Sequence, residues 1–190
     1  MGDATMDSDK EVRMRTETRG FTLYELLITI LLVALISGLA IPSFAASIAR
    51  QRQSVEINAL FHAIHLARKE SIMRRKVVSL CPSLDGMSCF PSRDWSQGWL
   101  MFENADRDSP PRIDAGETVL ANHRVSEQVR IAVNRKGFTL RATFLRATNG
   151  TFVFCDPEGR ITPKALVVSY TGRPRVARHT TAGELYSCAD

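Results

Sequence analysis

Residues 26–41 read LLITILLVALISGLAI, and no Asp, Glu, Lys or Arg interrupts the chain from Leu26 to Ala49. A helix needs about 20 apolar residues to cross a bilayer, and this stretch meets that length. Two other readings compete. A long buried core helix is one, although runs this long and this apolar are rare in soluble domains. A cleaved secretory signal is the other, since Phe44-Ala45-Ala46-Ser47 offers small residues for cleavage. Its apolar core would exceed the usual 7–15 residues, and Glu25 stands at the leading edge, where a signal peptide wants positive charge.

N-terminal to the run lies Arg19-Gly20-Phe21-Thr22-Leu23-Tyr24-Glu25-Leu26-Leu27. This stretch resembles the leader-peptidase site of type IV pilins and of type II secretion pseudopilins. The resemblance implies cleavage after Gly20 by a prepilin peptidase, N-methylation of Phe21, and a role in filament assembly for Glu25, the fifth mature residue. The Thr, the two Leu and Pro42 also match. An acid in an apolar segment costs roughly 2.5–3.5 kcal/mol on insertion scales unless it finds a partner. The amine freed at Phe21 of a neighbouring subunit would supply one; otherwise Glu25 lies among lipid headgroups. Residues 1–20 carry four basic and five acidic side chains, but the end nearest the span is basic (Arg13, Arg15, Arg19), which holds that end in the cytoplasm. The expected layout is therefore a leader at 1–20, a membrane and filament-core helix at 21–48, and a periplasmic or extracellular head at 49–190, with the protein resident in the inner membrane before assembly.

Past the span, Ile57, Leu60, Phe61, Ile64 and Ala67 recur at helical spacing, so the helix continues with one apolar face. His62 and His65 are expected to be solvated. Pro42 is expected to kink the helix or loosen its hydrogen bonding. Strand-like runs follow at 77–80, 98–102, 129–133, 138–144, 151–155 and 165–170, separated by turn-forming residues such as Thr148-Asn149-Gly150. One long helix followed by several strands reads as α+β. Gln97-Gly98-Trp99-Leu100-Met101-Phe102-Glu103-Asn104, Gly116-Glu117-Thr118-Val119-Leu120 and the late run Val167–Arg173 resemble the GspH/FimT group of minor pilins and pseudopilins. That resemblance implies the type IV pilin fold, a long N-terminal α-helix packed against antiparallel β-sheets, with other pilin or pseudopilin subunits as partners.

The four cysteines, Cys81, Cys89, Cys155 and Cys188, allow three pairings. An exported head favours disulfides; Cys81–Cys89 would close a local loop and Cys155–Cys188 would fasten the C-terminal tail. Free buried thiols are the alternative. Asp106, Asp108 and Asp114 share an acidic loop that lacks EF-hand spacing and reads as solvated. No metal or cofactor is expected. No nucleophile elbow, phosphate loop or zinc-protease motif is present, so the chain reads as no enzyme.

Charge is unevenly distributed. Residues 85–127 hold eight acids and four bases, whereas 128–183 hold ten bases and two acids, a net +8. Such a region attracts polyanions. Within it, Arg173 and Arg175 project to the same side if the chain is extended, and guanidinium forks match phosphate oxygens. Gly172-Arg173-Pro174-Arg175 resembles the G-R-x-R stretch of FimT-type minor pilins, which implies binding of double-stranded DNA without sequence preference and a part in natural transformation. Arg160, Lys164 and Arg178 flank it as further candidates. A pseudopilin of type II secretion, or a minor pilin that primes assembly without touching DNA, is the alternative.

Overall fold

The computed structural model describes residues 20–142 and 147–188. The chain divides into two compact units at Ile41/Pro42. Helix α1, Leu23–Arg74, begins in the first unit and ends in the second. Thr22 starts it: the Glu25 N–H donates to Thr22 Oγ1 at 3.3 Å, and the Leu26 N–H to the Thr22 carbonyl at 3.1 Å. This is an N-cap with an acid three residues on, which satisfies donors that a helix start leaves free. The apolar part of α1 contains an 18-residue window of mean hydropathy 2.5, none of it buried. By length and composition it can cross a membrane. The basic residues of the expected leader lie outside the described residues.

The second unit is α+β. Eight strands follow the helix: β1 Val78–Pro82, β2 Gly98–Glu103, β3 Val119–Arg124, β4 Arg130–Val133, β5 Phe138–Leu140, β6 Gly150–Cys155, β7 Lys164–Val168 and β8 Pro174–Ala177. They form two antiparallel sheets, ordered β3-β2-β1-β5 and β4-β6-β7-β8. Six of them fall within or beside the runs expected from sequence. β3 and β8 were not among those runs. β3 (VLANHR) alternates poorly, and β8 begins with a proline and carries an arginine. Both are edge strands, where proline and charge are tolerated. The expected run at 138–144 is a strand only through Leu140, and residues 143–146 lie outside the described residues.

One core joins the helix to both sheets. Ile57, Leu60, Ile64 and Ala67 are buried among Leu80, Met101, Ile131, Phe152, Phe154 and Leu166. Phe61 is only partly buried against that core, and His62 and His65 are exposed beside its ring. Trp95, Phe138 and Phe152 tie β5 of one sheet to β6 of the other. The two phenylalanine rings stack with centroids 4.4 Å apart, and Trp95 meets Phe152 edge-on at 5.1 Å, arrangements that aromatic quadrupoles favour.

Two polar residues of α1 are buried and bonded to the strands and loops packed on the helix. Gln53 Nε2 donates to the carbonyls of Phe154 (3.0 Å) and Thr162 (3.2 Å). Glu56 accepts the Ser126 N–H at 3.1 Å and meets His123 Nε2 at 2.8 Å, while the His123 ring stacks on Trp99.

Cys81 and Cys89 are bonded, with Cα atoms 5.6 Å apart, and so are Cys155 and Cys188, at 6.0 Å. The first bridge lies with Leu100, Phe102 and Ile113 on the face of β1–β2 turned away from α1. Asp85 orders its loop: hydrogen bonds from the Ser88 hydroxyl and the Met87 and Ser88 N–H groups hold its carboxyl far below the ordinary range. At the far end of α1, Glu103 of β2 is buried and paired with Lys76 and with Arg74 Nη1 at 2.9 Å. The hydrogen bond from Lys76, then that from Arg74, hold its pKa below the usual value.

Two outcomes follow from this packing. Leu60→Ala removes a fully buried side chain and should cost about 2–5 kcal/mol, read as a lower denaturation midpoint at unchanged slope. The Glu103 pairing stabilises the fold fully above the unfolded carboxyl pKa, about 4.3, and is lost as pH falls through the lower folded value. Melting temperature in detergent micelles should therefore decline below about pH 5, and Glu103→Gln should flatten that decline.

Candidate nucleic-acid interface

β7 and β8 form a hairpin closed by Ser169–Arg173. The Gly172 N–H donates to the Ser169 carbonyl at 2.8 Å, and the Ser169 N–H to the Arg173 carbonyl at 3.1 Å. Gly172 has φ 69°, and an added Cβ there would meet Leu140 Cδ2 at 2.9 Å and Arg68 Nη1 at 3.2 Å. Only glycine fits such a left-handed, crowded position without strain. The glycine thus sets where Arg173 emerges, and it brings Arg68 of α1 beside the turn. Arg68 escaped the sequence reading because nothing in the primary structure links position 68 to position 172.

β8 pairs with β7 in the register Val168↔Pro174, Val167↔Arg175, Leu166↔Val176 and Ala165↔Ala177. Leu166 and Val168 belong to the core beneath α1, so Val167 and Arg175 are on the opposite face of the sheet. Arg173 shares that parity. Both arginines are exposed, and β8 is an outer strand of its sheet. Among the described residues, neither takes part in an ion pair.

The other candidates do not join them in one cluster. Arg160 is bound to Asp156 through Nε (2.9 Å) and Nη2 (2.6 Å), and to Glu158 through Nη1 (3.0 Å). Asp156 is buried, and this hydrogen bonding holds its pKa low. The arginine is a loop clasp, which removes it from the phosphate-facing set. Lys164 opposes Phe154 at the start of β7 and is half-buried on the helix-facing parity, across the sheet from Arg175. Arg178 is exposed but lies one residue beyond β8, on the parity opposite to Arg173 and Arg175. It opens a short tail hairpin, with the Thr180 N–H donating to the Glu184 carbonyl at 2.7 Å, and Cys188 anchors that tail to β6. The two-arginine edge, with Arg68 beside its turn, is what the geometry assembles.

The acidic loop is gathered rather than spread. Carboxylate oxygens of Asp106, Asp108 and Asp114 lie within 4.8 Å of one another. Desolvation, then the neighbouring acid Asp106, raise the pKa of Asp114. Glu117 accepts the backbone N–H groups of Ala105 and Asp114.

The family described as type II transport protein GspH matches residues 56–172, more than half of the chain. No curated protein sequence matches. Among solved structures, the type IV minor pilin FimU of Pseudomonas aeruginosa (strain PAO1) in space group P21 is 18% identical. The alignment covers 74% of this chain and 97% of that one, with a TM-score of 0.50. FimU in space group P65 is 19% identical over 67% and 91% of the two chains, with a TM-score of 0.47. The minor pseudopilin EpsH of the Vibrio cholerae type 2 secretion system is 9% identical over 66% and 96%, also at 0.47. At these identities the likeness to the P21 structure speaks to fold alone, a long helix packed on antiparallel sheets. The family match carries the rest: the chain belongs to the GspH/FimT family of type IV pilin-like proteins, a structural minor pilin or pseudopilin with other pilin subunits as partners and an apolar N-terminal helix fit for membrane anchoring, not an enzyme.

Proposed function

We propose that this chain is a DNA-binding minor pilin that serves DNA uptake in natural transformation. On this reading, prepilin peptidase cuts after Gly20 and Phe21 is N-methylated. Residues 21–48 hold the subunit in the inner membrane as a single pass, with the head, 49–190, in the periplasm until assembly. Glu25 then pairs with the N-terminal amine of a neighbouring subunit in the pilus. Arg173 and Arg175 contact the phosphates of double-stranded DNA, and Arg178 and Lys164 add longer-range attraction.

The observation that carries the DNA part is the exposure of Arg173 and Arg175 on one parity of an outer strand, with no ion-pair partner among the described residues. Guanidinium forks at strand spacing suit successive phosphate oxygens. Phosphate contacts position a protein on DNA without reading its sequence. A second reading, a pseudopilin that works only in assembly, draws on the family description as a type II transport protein.

A gel-shift experiment on the full chain in detergent micelles separates the two. Double-stranded DNA should shift at low salt irrespective of sequence. Each of Arg173→Gln and Arg175→Gln should weaken binding. For two phosphate contacts, raising salt from about 50 to 200 mM should weaken it roughly tenfold. An intact chain that leaves DNA unshifted at low salt would refute the DNA reading and leave the assembly one. Mass spectrometry of protein recovered from cells should find an N-methylated Phe21 at the N-terminus; an uncut chain, or one starting near Ser47, contradicts the processing scheme.

A further inference from the structure

A second cationic feature lies where α1 ends. A pocket of about 160 Å³ is lined by Arg75, Lys76, Val77, Arg107, Arg141 and Ala142. Its four cations come from three separate places: the exit of α1, the loop after β2, and the residue after β5. Like charges gathered around one small space repel unless something negative sits among them.

Two of the four have local reasons to be there. Arg75, at φ 54°, ends α1 in the left-handed conformation common at helix C-termini, and cations are favoured at that end of the dipole. Lys76 is held by Glu103. Arg107 and Arg141 have no such explanation. Neither joins an ion pair among the described residues, and Arg141 Nε is shut off from solvent with no hydrogen-bond acceptor. A buried charged donor left unmatched is destabilising. The acids beside Arg107 are engaged elsewhere: Asp108 Oδ1 lies against Asn104 Nδ2 and accepts the Arg112 N–H, and Asp106 Oδ1 accepts the Asp108 N–H.

The geometry points to an oxyanion site whose ligand is a single phosphate group, held by Arg75, Arg107 and Arg141 with Lys76 alongside. Guanidinium forks and an ammonium match tetrahedral oxygens. At about 160 Å³ the pocket is close in size to a cavity that admits one benzene molecule, room enough for a single phosphate group. The pocket shares no residue with the β8 edge, so it stands whether or not that edge binds DNA.

Isothermal titration of the full chain in uncharged detergent micelles, at low ionic strength, tests the site. One arm uses inorganic phosphate and the other dihexanoyl phosphatidic acid. Saturable binding of one equivalent is expected in at least one arm; phosphate binding identifies the free anion, and binding of the lipid alone identifies a headgroup. Arg141→Gln should weaken it about tenfold or more, while Arg124→Gln, which removes a charge outside the pocket, should not. If Arg141→Gln loses native circular dichroism, the exposed Arg107→Gln takes its place with the same expectation. No saturable binding in either arm, or equal weakening by Arg124→Gln and the pocket variant, overturns the site.

Discussion

A single helix segment has to satisfy two sheets at once, and it does so with polar residues placed beside its apolar stripe. Ile57, Leu60, Ile64 and Ala67 would pack against any apolar surface of suitable shape, because burial is non-directional. Gln53 and Glu56 are directional. Each is buried, and each would be destabilising if unmatched. Gln53 finds its acceptors in the sheet of β6 and in the 162 loop, and Glu56 finds its partners in the other sheet, at His123 of β3 and at Ser126 just past it. Rotating or sliding α1 by one residue would break both sets together. The helix is thereby fixed against both sheets, and the aromatic contact between β5 and β6 joins the two sheets within the same core.

With the helix covering one face of each sheet, the outer strands are what remain. β3 and β8 both end their sheets, and an uncovered strand edge invites pairing with another chain. Pro174 and Arg175 blunt β8 in the way edge strands are commonly protected. This gives the arginines a structural purpose that needs no ligand. The two purposes are compatible: a strand kept open by charge presents that charge to a polyanion, and the bond from Cys155 to Cys188 fastens the following tail to β6, two strands inward from β8. Exposure alone therefore does not separate them, and the salt dependence of binding does.

The helix and most strands were legible because their signal is periodic and local. The positions that fill the helix-facing core, Ile57 through Ala67, stand at helical spacing in the sequence itself. β3 and β8 were not legible, since β3 alternates poorly and β8 opens on a proline and carries an arginine. The arginine pair was legible from Gly172 through Arg175, but its company was not. Arg160 looked like a neighbour and is bound to Asp156, a contact across one tight loop. Arg68 looked remote and lies against Gly172. Convergence of Arg75, Arg107 and Arg141 depends on the ends of α1, β2 and β5 meeting, which only the sheet order decides.

Glu25 brings the same reasoning to the other end of the chain. Its backbone N–H is bonded to Thr22, and its carboxylate stands in the first turn of α1, where the helix dipole favours negative charge by about 0.3–1 kcal/mol. Placing an acid at the centre of a membrane helix costs roughly 2.5–3.5 kcal/mol on insertion scales. The dipole offsets only part of such a penalty, and a position near the helix start lowers the penalty itself. On the proposed reading, a lone subunit can hold Glu25 near the membrane surface at small cost. Deeper in an apolar filament core the dipole no longer suffices, and a neighbour's amine is the remaining source of compensation. A carboxylate tolerable alone and demanding when buried would favour only those assembly registers that bring a partner to it.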